Sequence, residues 1–363
     1  MNKRSVYWCA IALLLIVTGC AKKKTPQELF DMQRSGVVLI LNKFYYEIQL
    51  SNGNSFYFTN LDDEGDFVNF TTDLPDVEKS PAILNGTGFF IDNTGRILTN
   101  RHVVAPQIDK STVKSNMNAL IAAYVELVEA YQEQLSEKYQ KIQSYAQESL
   151  YVDEYGNVDS YLPSSEIDKL SDELDDLKEE YAQAESLKGD LRKSILSERF
   201  TVKLHSTIGI AYDGDTVTEW DDFMKNPCQV LKVSSDDNSD LALLQLESQS
   251  TPEDKYIFDV SNYSADANES LQINQPLYMI GYNYGIGLAK TNKGIYAQFT
   301  SGALTQNPDG DRIVYSIPAV QGSSGSPVID ENGDLVAVNF AALNGSDNFN
   351  FGVPMIRILT FLR

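Results

Sequence analysis

The feature that most constrains the fold is an abrupt change of composition between Asp109 and Glu198. Glycine is nearly absent from this block, and apolar residues recur at alternating spacings of four and three, the seam pattern of a coiled coil. The seam positions are Met117, Ile121, Tyr124, Val128, Tyr131, Leu135, Ile142 and Tyr145, then Ile167, Leu170, Leu174, Leu177, Tyr181, Ala184 and Leu191. A break between Tyr151 and Pro163 suits a reversal of direction. The block therefore predicts an antiparallel α-helical coiled-coil hairpin with arms about 50 Å long.

The two seams suggest what the hairpin packs against. We expect Tyr124, Tyr131 and Tyr181 to pack between its own helices rather than to line a substrate groove. The pattern leaves three purposes open for the hairpin. These are homo-oligomerisation, service as a substrate adaptor, and contact with another envelope protein.

Short strands separated by glycine-rich turns are predicted on both sides of this block. The predicted strands are Val37–Leu50, Ser55–Phe58, Phe200–Tyr212, Cys228–Val233, Leu241–Leu246, Leu277–Ile280, Gly287–Ala289, Tyr296–Thr300, Ile313–Ser316 and Asn350–Pro354. A short helix is predicted over Met355–Arg363. Such a pattern indicates an all-β barrel or sandwich with one helical insertion.

The N-terminus has the features of a targeting segment. Lys3 and Arg4 precede an apolar stretch over Val6–Val17, which is too short for a comfortable transmembrane helix. The following Val17–Cys20 resembles a bacterial lipobox, which implies removal of residues 1–19 and lipidation of Cys20. We therefore expect a tether over residues 20–27, attachment to a membrane through lipid, and a location in the bacterial cell envelope.

Charge and cysteine content exclude several classes of function. A net charge of −22 argues against nucleic acid or an anionic membrane surface as the main partner. With Cys9 removed and Cys20 lipidated, Cys228 is single, so no intramolecular disulfide is expected and Cys228 is predicted to be a small buried apolar residue. No His/Cys cluster has the spacing of metal ligands, so no metal and no cofactor is expected.

The stretch Val320–Val338 carries the strongest chemical signal. Gly322 and Gly325 place Ser324 on a tight turn, and an Asn332-Gly333 hairpin follows. A serine on such a turn can expose its hydroxyl beside backbone N–H groups, as a nucleophile with an oxyanion hole requires. The alternative is a surface loop rich in glycine and serine.

Two further residues complete a catalytic set. His102 follows a glycine-framed hairpin over Gly86–Val104, and Asp240 directly precedes a strand. With Ser324 they occur in the order His, Asp, Ser, which is the order of chymotrypsin and differs from those of subtilisin and the α/β-hydrolases.

At these residues the sequence resembles trypsin-like serine peptidases, and more closely their bacterial HtrA-like branch. The matching segments are Gly86–Ile91, Leu98–Val104, Ser239–Leu244 and Gly322–Pro327. The resemblance implies a mainly β, chymotrypsin-like double β-barrel with the helical hairpin inserted between the His and Asp motifs. It divides the chain into an N-terminal barrel over residues 28–108, the hairpin over 109–198 and the rest of the peptidase domain over 199–363. Without the hairpin, the separation of the His and Asp motifs is ordinary for the family.

The resemblance also implies a role for each site residue. Ser324 attacks the peptide carbonyl, His102 transfers the proton, and Asp240 orients the imidazole; the N–H groups of Gly322 and Ser324 form the oxyanion hole. Asp236 and Asp237 are rival acids. His205 lies in a predicted strand and is expected to be structural.

Specificity and the competing function are expectations of the same resemblance. The specificity pocket is predicted from the residues Pro318, Ala319, Asn339, Phe340 and Ala341, and their lack of charge favours a modest aliphatic side chain before the scissile bond. The PDZ domain usual in HtrA proteases is not expected after Arg363. The leading interpretation is a lipid-anchored serine endopeptidase acting on protein or peptide substrates. The alternative is a catalytically silent or zymogen-like scaffold whose hairpin binds envelope partners.

Overall fold

A computed structural model describes residues 23–363, apart from gaps at 51–52, 196–199, 237, 262, 264–267 and 343–348 and the side chains of 341 and 342. The predicted signal segment and Cys20 lie outside the described residues. Within the described part of the chain, no helix combines the length and apolar character needed to cross a membrane.

The elements are numbered in chain order. Up to the end of the second long helix they are α1 (Pro26–Gln33), β1 (Val37–Leu50), β2 (Ser55–Phe58), β3 (Asn60–Leu61), β4 (Phe67–Val68), α2 (Leu74–Lys79), β5 (Ala82–Phe90), β6 (Arg96–Thr99), α3 (Arg101–Val104), α4 (Lys110–Glu148), β7 (Leu150–Val152), β8 (Val158–Ser160) and α5 (Ser164–Lys193). They continue with β9 (Phe200–Tyr212), β10 (Pro227–Val233), β11 (Ala242–Leu246), β12 (Pro276–Gly281), α6 (Ile286–Ala289), β13 (Lys290–Thr291), β14 (Gly294–Ile295), β15 (Gln298–Ala303), β16 (Ile313–Tyr315), β17 (Pro327–Asp330), β18 (Leu335–Ala342), β19 (Asn350–Pro354) and α7 (Met355–Leu362).

The chain forms two compact units. The first contains the segment that ends at Phe44, Pro81–Gln107 and His205–Arg363. The second contains Tyr45–Ser80 and Ile108–Leu204. The predicted hairpin thus shares a unit with a segment that precedes the predicted insertion.

The first unit contains an antiparallel sheet in the order β1-β5-β6-β11-β10-β9, and β9 also pairs with β1, which closes the sheet into a barrel. Alternate residues of β1 enter different cores. Val38 and Ile40 pack inside the barrel with Phe90, Ile97 and Leu244. Val37, Leu39 and Leu41 pack on its other side. Burial of both faces explains why the start of β1 is a continuous apolar run.

The second sheet of this unit has the order β15-β12-β17-β18-β19-β16. Just beyond β15, a bridge between Leu304 and Tyr315 joins the two edges of the sheet. Its interior is filled by Leu277, Met279, Val328 and Ala337 together with Tyr315. The predicted mainly β architecture with two barrel-like sheets and a helical insertion is therefore confirmed.

One predicted strand is wrong. Gly287–Ala289 lies in the single helical turn α6, whose Ala289 N–H donates to Gly285 O at 3.1 Å. Tyr284 and Gly285 both have positive φ, so the chain turns sharply there and cannot continue β12. The three residues Gly287–Ala289 were too few to distinguish the hydrophobic period of a helix from that of a strand.

The second unit contains the two predicted long helices, α4 with 39 residues and α5 with 30. Ion pairs tie them together, with 2.8 Å between Lys138 and Glu173 and 2.7 Å between Arg192 and Glu129. The predicted break between the arms contains the small antiparallel hairpin of β7 and β8. The helical hairpin is thus confirmed, with an ordered turn where irregular chain was expected.

The seam buries less than its heptad pattern predicts. Leu135, Leu177 and Ala184 are buried, but Tyr124, Tyr131 and Tyr181 are 53%, 45% and 42% exposed. Tyr124 and Tyr131 line an apolar groove of about 450 Å³ on the hairpin. The expectation that these tyrosines pack between the helices is wrong, because a tyrosine hydroxyl favours a position where one end of the ring stays in water.

Candidate active site

The pairing of β6 with β11 brings two of the predicted site residues together. In this antiparallel pair Thr99 is the partner of Ala242. The residues that follow β6 therefore lie opposite the residues that precede β11. His102 stands in the short helix α3 just after β6, and its Nδ1 lies 2.5 Å from Asp240 Oδ2.

Two further hydrogen bonds fix the aspartate. The backbone N–H of His102 donates to Asp240 Oδ1 at 3.0 Å, and the Asn100 side chain donates to the Asp240 carbonyl at 2.7 Å. The Asp240 side chain is only 14% exposed, whereas that of His102 is 43% exposed.

This contact decides which imidazole nitrogen is free. An ionised carboxylate only accepts hydrogen bonds, so the proton of a neutral His102 ring must lie on Nδ1. Nε2 then carries a lone pair and can accept a proton. That is the tautomer that a general base acting on a serine hydroxyl requires.

The rival acid Asp236 has other partners. Its Oδ2 accepts from Arg357 at 2.7 Å and from Ser239 Oγ at 3.1 Å. Hydrogen bonds, the largest from the Asn238 N–H, together with the Arg357 charge, hold the Asp236 pKa below its usual value. Asp237 lies outside the described residues. Of the two described candidates, Asp240 is the acid beside His102.

Ser324 lies half-buried on the turn between β16 and β17. Gly322 precedes it with a φ of +92°, a conformation that favours glycine. A Cβ at Gly322 would also overlap Gly285 N and Tyr282 O. The turn therefore needs glycine at this position for both conformation and space.

The Ser324 turn is attached to the first barrel at β5 and β6. The Thr87 N–H donates to Ser324 O at 2.8 Å, and Thr87 Oγ1 donates to Gly322 O at 2.9 Å. Thr99 Oγ1 in turn donates to Thr87 O at 2.7 Å. Ser324 is thus connected through Thr87 to the end of β6, three residues before His102.

Hydrogen bonds also set the direction of the two N–H groups predicted for the oxyanion hole. Gln321 O accepts from the Tyr284 N–H at 2.6 Å, and Ser323 O accepts from the Ser326 N–H at 3.0 Å. Because C=O and N–H point in opposite directions across a trans peptide, the Gly322 and Ser324 N–H groups point away from these partners. Among the hydrogen bonds of the described residues, neither N–H has an acceptor.

Across the described part of the chain, no hydrogen bond joins Ser324 Oγ to the His102 ring. Catalytic hydrogen bonds are often long without substrate, and a bound peptide would desolvate the site. The structure therefore brings His102 and Asp240 together and anchors Ser324 to the same strand pair.

The predicted specificity residues differ in their surroundings. Pro318 is exposed, Ala319 and Phe340 are half-buried, and Asn339 is 2% exposed. The Ala341 side chain lies outside the described residues. Asn339 Nδ2 donates to Ser323 O at 3.0 Å, so its amide faces the turn that carries Ser324. The aliphatic preference stays a prediction.

The remaining candidates for chemistry lie elsewhere or are inert. Burial, with a smaller effect of Glu247, raises the pKa of the Cys228 thiol to about 12, so this thiol stays protonated at neutral pH. His205 lies in β9, as expected. Within the described residues, no three His, Cys, Asp or Glu side chains are grouped to hold a metal ion.

Sequence reasoning missed the residues that hold the site together. Asn100 and Thr87 make the bonds described above, and both lie in segments that the sequence had singled out only for their neighbours. Their only signal was position, since Thr87 lies between Gly86 and Gly88 and Asn100 lies two residues before His102. A buried polar side chain in such a place requires a partner.

Residues 205–338 match the family model described as a trypsin-like peptidase domain. The match supports a trypsin-like serine peptidase in this part of the chain. The match includes Asp240 and Ser324. Among solved structures, the serine endoprotease from Yersinia pestis is similar with 12% identity and a TM-score of 0.43, over 93% of this chain and 65% of the Yersinia chain. This chain thus spans less than two thirds of that protein. No curated protein sequence matches.

Proposed function

We propose that this peptidase domain is an active serine endopeptidase that hydrolyses peptide bonds of exported proteins. The observation that carries the proposal is the His102–Asp240 contact, 2.5 Å between Nδ1 and Oδ2, which leaves His102 Nε2 free to act as a base. The attachment of the Ser324 turn to β5 supports it. A surface loop without function would not need buried hydrogen bonds from Thr87 at two points.

The proposed mechanism follows from these contacts. Ser324 Oγ forms a bond to the substrate carbonyl carbon while its proton passes to His102 Nε2, and the carbonyl oxygen becomes an oxyanion facing the Gly322 and Ser324 N–H groups. Asp240 stabilises the imidazolium. His102 then returns the proton to the leaving amine, the C–N bond breaks, and water hydrolyses the acyl-enzyme by the same steps.

We further propose that Cys20 is lipidated and holds the peptidase at a membrane of the bacterial cell envelope. The support is the sequence of residues 1–20 alone, namely a basic start, a short apolar stretch and the segment Val17–Cys20. Substrates would then be exported proteins within reach of the tether. Homo-oligomerisation and an envelope partner for the hairpin stay predictions.

The test is covalent labelling of the purified protein with a fluorophosphonate probe, followed by proteolysis of an unfolded protein. Ser324→Ala should abolish labelling, and His102→Ala should lower its rate by at least about 10³-fold, because the serine then has no base. His205→Ala is the matched control, since the chain has only two histidines. It should label like the wild type.

A silent scaffold is the second candidate. The absence of a Ser324–His102 hydrogen bond among the described residues favours it. A folded wild-type protein that neither labels nor cleaves, with and without unfolded substrate, would replace the endopeptidase proposal with this one.

A further inference from the structure

Asn339 and Tyr315 form a buried polar pair beneath the Ser324 turn. Tyr315, at the end of β16, is fully buried, and its hydroxyl lies 2.8 Å from Asn339 Oδ1. The Asn339 Nδ2 group faces the other way, 3.0 Å from Ser323 O and 3.2 Å from Ser323 Oγ. Three residues from separate elements thus form one hydrogen-bonded chain that ends at the residue before Ser324.

Counting protons fixes the orientation of the Asn339 amide. The Ser323 hydroxyl donates to Val320 O at 2.6 Å, so its oxygen has only lone pairs left for Asn339. Ser323 O is a carbonyl and can only accept. Both groups that face Asn339 are therefore acceptors, and the amide must present its NH₂ to them.

The same count assigns the role of donor to the Tyr315 hydroxyl. With its NH₂ used on Ser323, Asn339 presents Oδ1 to Tyr315, so the hydroxyl must donate to it. Phe351 O, at 3.0 Å, competes for the same single proton. Burial raises the Tyr315 pKa well above its usual value, so the hydroxyl keeps this proton across the working range of the protein.

We propose that Asn339 and Tyr315 are positioning residues that orient the peptide between Ser323 and Ser324 and thereby aim one N–H of the oxyanion hole. The inference rests on the proposed peptidase function. Because the peptide is planar and trans, a donor that holds Ser323 O in place also fixes the direction of the Ser324 N–H. Tyr315 acts one step further away, since its hydroxyl donates to Asn339 Oδ1 and holds the amide from its other end.

This arrangement serves the transition state rather than substrate binding. An oxyanion donor stabilises the tetrahedral intermediate, where charge develops on the carbonyl oxygen, more than it stabilises the uncharged substrate. Misdirecting the Ser324 N–H should therefore lower kcat and leave KM nearly unchanged. A defect in the specificity pocket would raise KM instead.

The experiment compares Tyr315→Phe and Asn339→Asp in the full-length protein with a peptide substrate. We expect kcat to fall about 3- to 10-fold in the first variant and about 10- to 100-fold in the second, since the second puts an acceptor against Ser323 O. Tyr263→Phe is the matched control. It also removes a tyrosine hydroxyl that bonds to β18, since the Tyr263 hydroxyl accepts from the Leu335 N–H at 2.6 Å. Leu335 lies at the other end of the strand from the Ser324 turn.

The pH profile of Asn339→Asp separates positioning from simple destabilisation. At high pH the introduced carboxylate has no proton to donate and repels Ser323 O. At low pH the carboxyl is protonated and can donate to Ser323 O while still accepting from Tyr315. The ratio of variant to wild-type kcat should therefore rise as the pH falls, with unfolding transitions at each pH showing that both proteins are folded.

Each outcome decides the matter. A wild-type protein that does not label overturns both the positioning role of Asn339 and Tyr315 and the peptidase proposal. If the wild type is active but kcat is unchanged in both variants, only the positioning role of Asn339 and Tyr315 is overturned. The same holds if the kcat ratio of Asn339→Asp to wild type is independent of pH. If Tyr315→Phe does not fold, the pH dependence of Asn339→Asp still decides.

Discussion

Replacing Gly325 by alanine tests whether the Ser324 turn must lie against the first barrel. Gly325 has a φ of +87°, and a Cβ there would overlap Thr87 O and lie 2.5 Å from Thr99 Oγ1. Cβ atoms keep at least 3.0 Å from such neighbours. Because Thr87 is held in β5, and a Cβ at Gly325 would lie 2.0 Å from Thr87 O, the turn rather than the strand has to move, by at least about 1 Å.

The expected cost has two parts. A non-glycine residue in the left-handed region costs about 1 kcal/mol, and the overlap with Thr87 and Thr99 adds about 1–3 kcal/mol. The displacement also moves Ser324, the preceding residue, relative to His102. Since a misplacement of about 1 Å can cost 10²-fold, the fluorophosphonate labelling rate should fall about 10- to 100-fold.

The assay measures the labelling rate alongside unfolding in denaturant. Gly310→Ala is the matched control, because Gly310 has a φ of +83° with nothing within 4 Å of an added Cβ. It bears the conformational cost without the overlap and should label within about threefold of the wild type. Equal labelling by Gly325→Ala and the wild type would refute the idea that contact with Thr87 positions the nucleophile.

Two further predictions concern the acid and the anchor. Asp240→Asn should lower the labelling rate by about 10³- to 10⁴-fold, because an amide N–H facing His102 Nδ1 forces the ring proton onto Nε2. Asp236→Asn, the control, loosens a partly exposed bond to Arg357 and should change the labelling rate less than about fivefold. Similar losses in both variants would contradict the assignment of Asp240 as the acid. Mass spectrometry of the membrane fraction should find lipid on Cys20. Cys20→Ser should carry no lipid and should be released from the membrane. A Cys20→Ser variant that is unmodified but still bound to the membrane would contradict the anchor.

The contact between His102 and Asp240 could be predicted from the sequence because it depends on strand register. Both residues adjoin apolar runs that had to pair, and a shift of one residue in that pairing would turn Leu98 or Leu243 from one core to the other. The order of the three motifs added the remaining constraint. The preference for Asp240 over Asp236 came from the resemblance, because Asp240 directly precedes Leu241–Leu244 as the aspartate of the family does.

The contacts beneath Ser324 could not be predicted because they depend on three-dimensional packing. Asn339 lies in an otherwise apolar strand, and the sequence suggested a lining for the specificity pocket rather than a partner for Ser323. The exposure of Tyr124 was missed for a related reason. Periodicity gives the side of a helix on which a residue lies, but not whether the partner helix is wide enough to cover it.

The long insertion between His102 and Asp240 is compatible with their contact, because the entropic cost of loop closure depends only weakly on loop length. The pairing of Thr99 with Ala242 must be formed whether the connection has about 50 or about 140 residues. The entropic difference between such loops is only about 1 kcal/mol, since the cost rises with the logarithm of length. Even this is an upper limit, because α4 and α5 order most of the added chain and repay its ordering through their own contacts. An insertion whose two helices pack against each other can therefore be gained between β6 and β11 without loss of the His102–Asp240 contact.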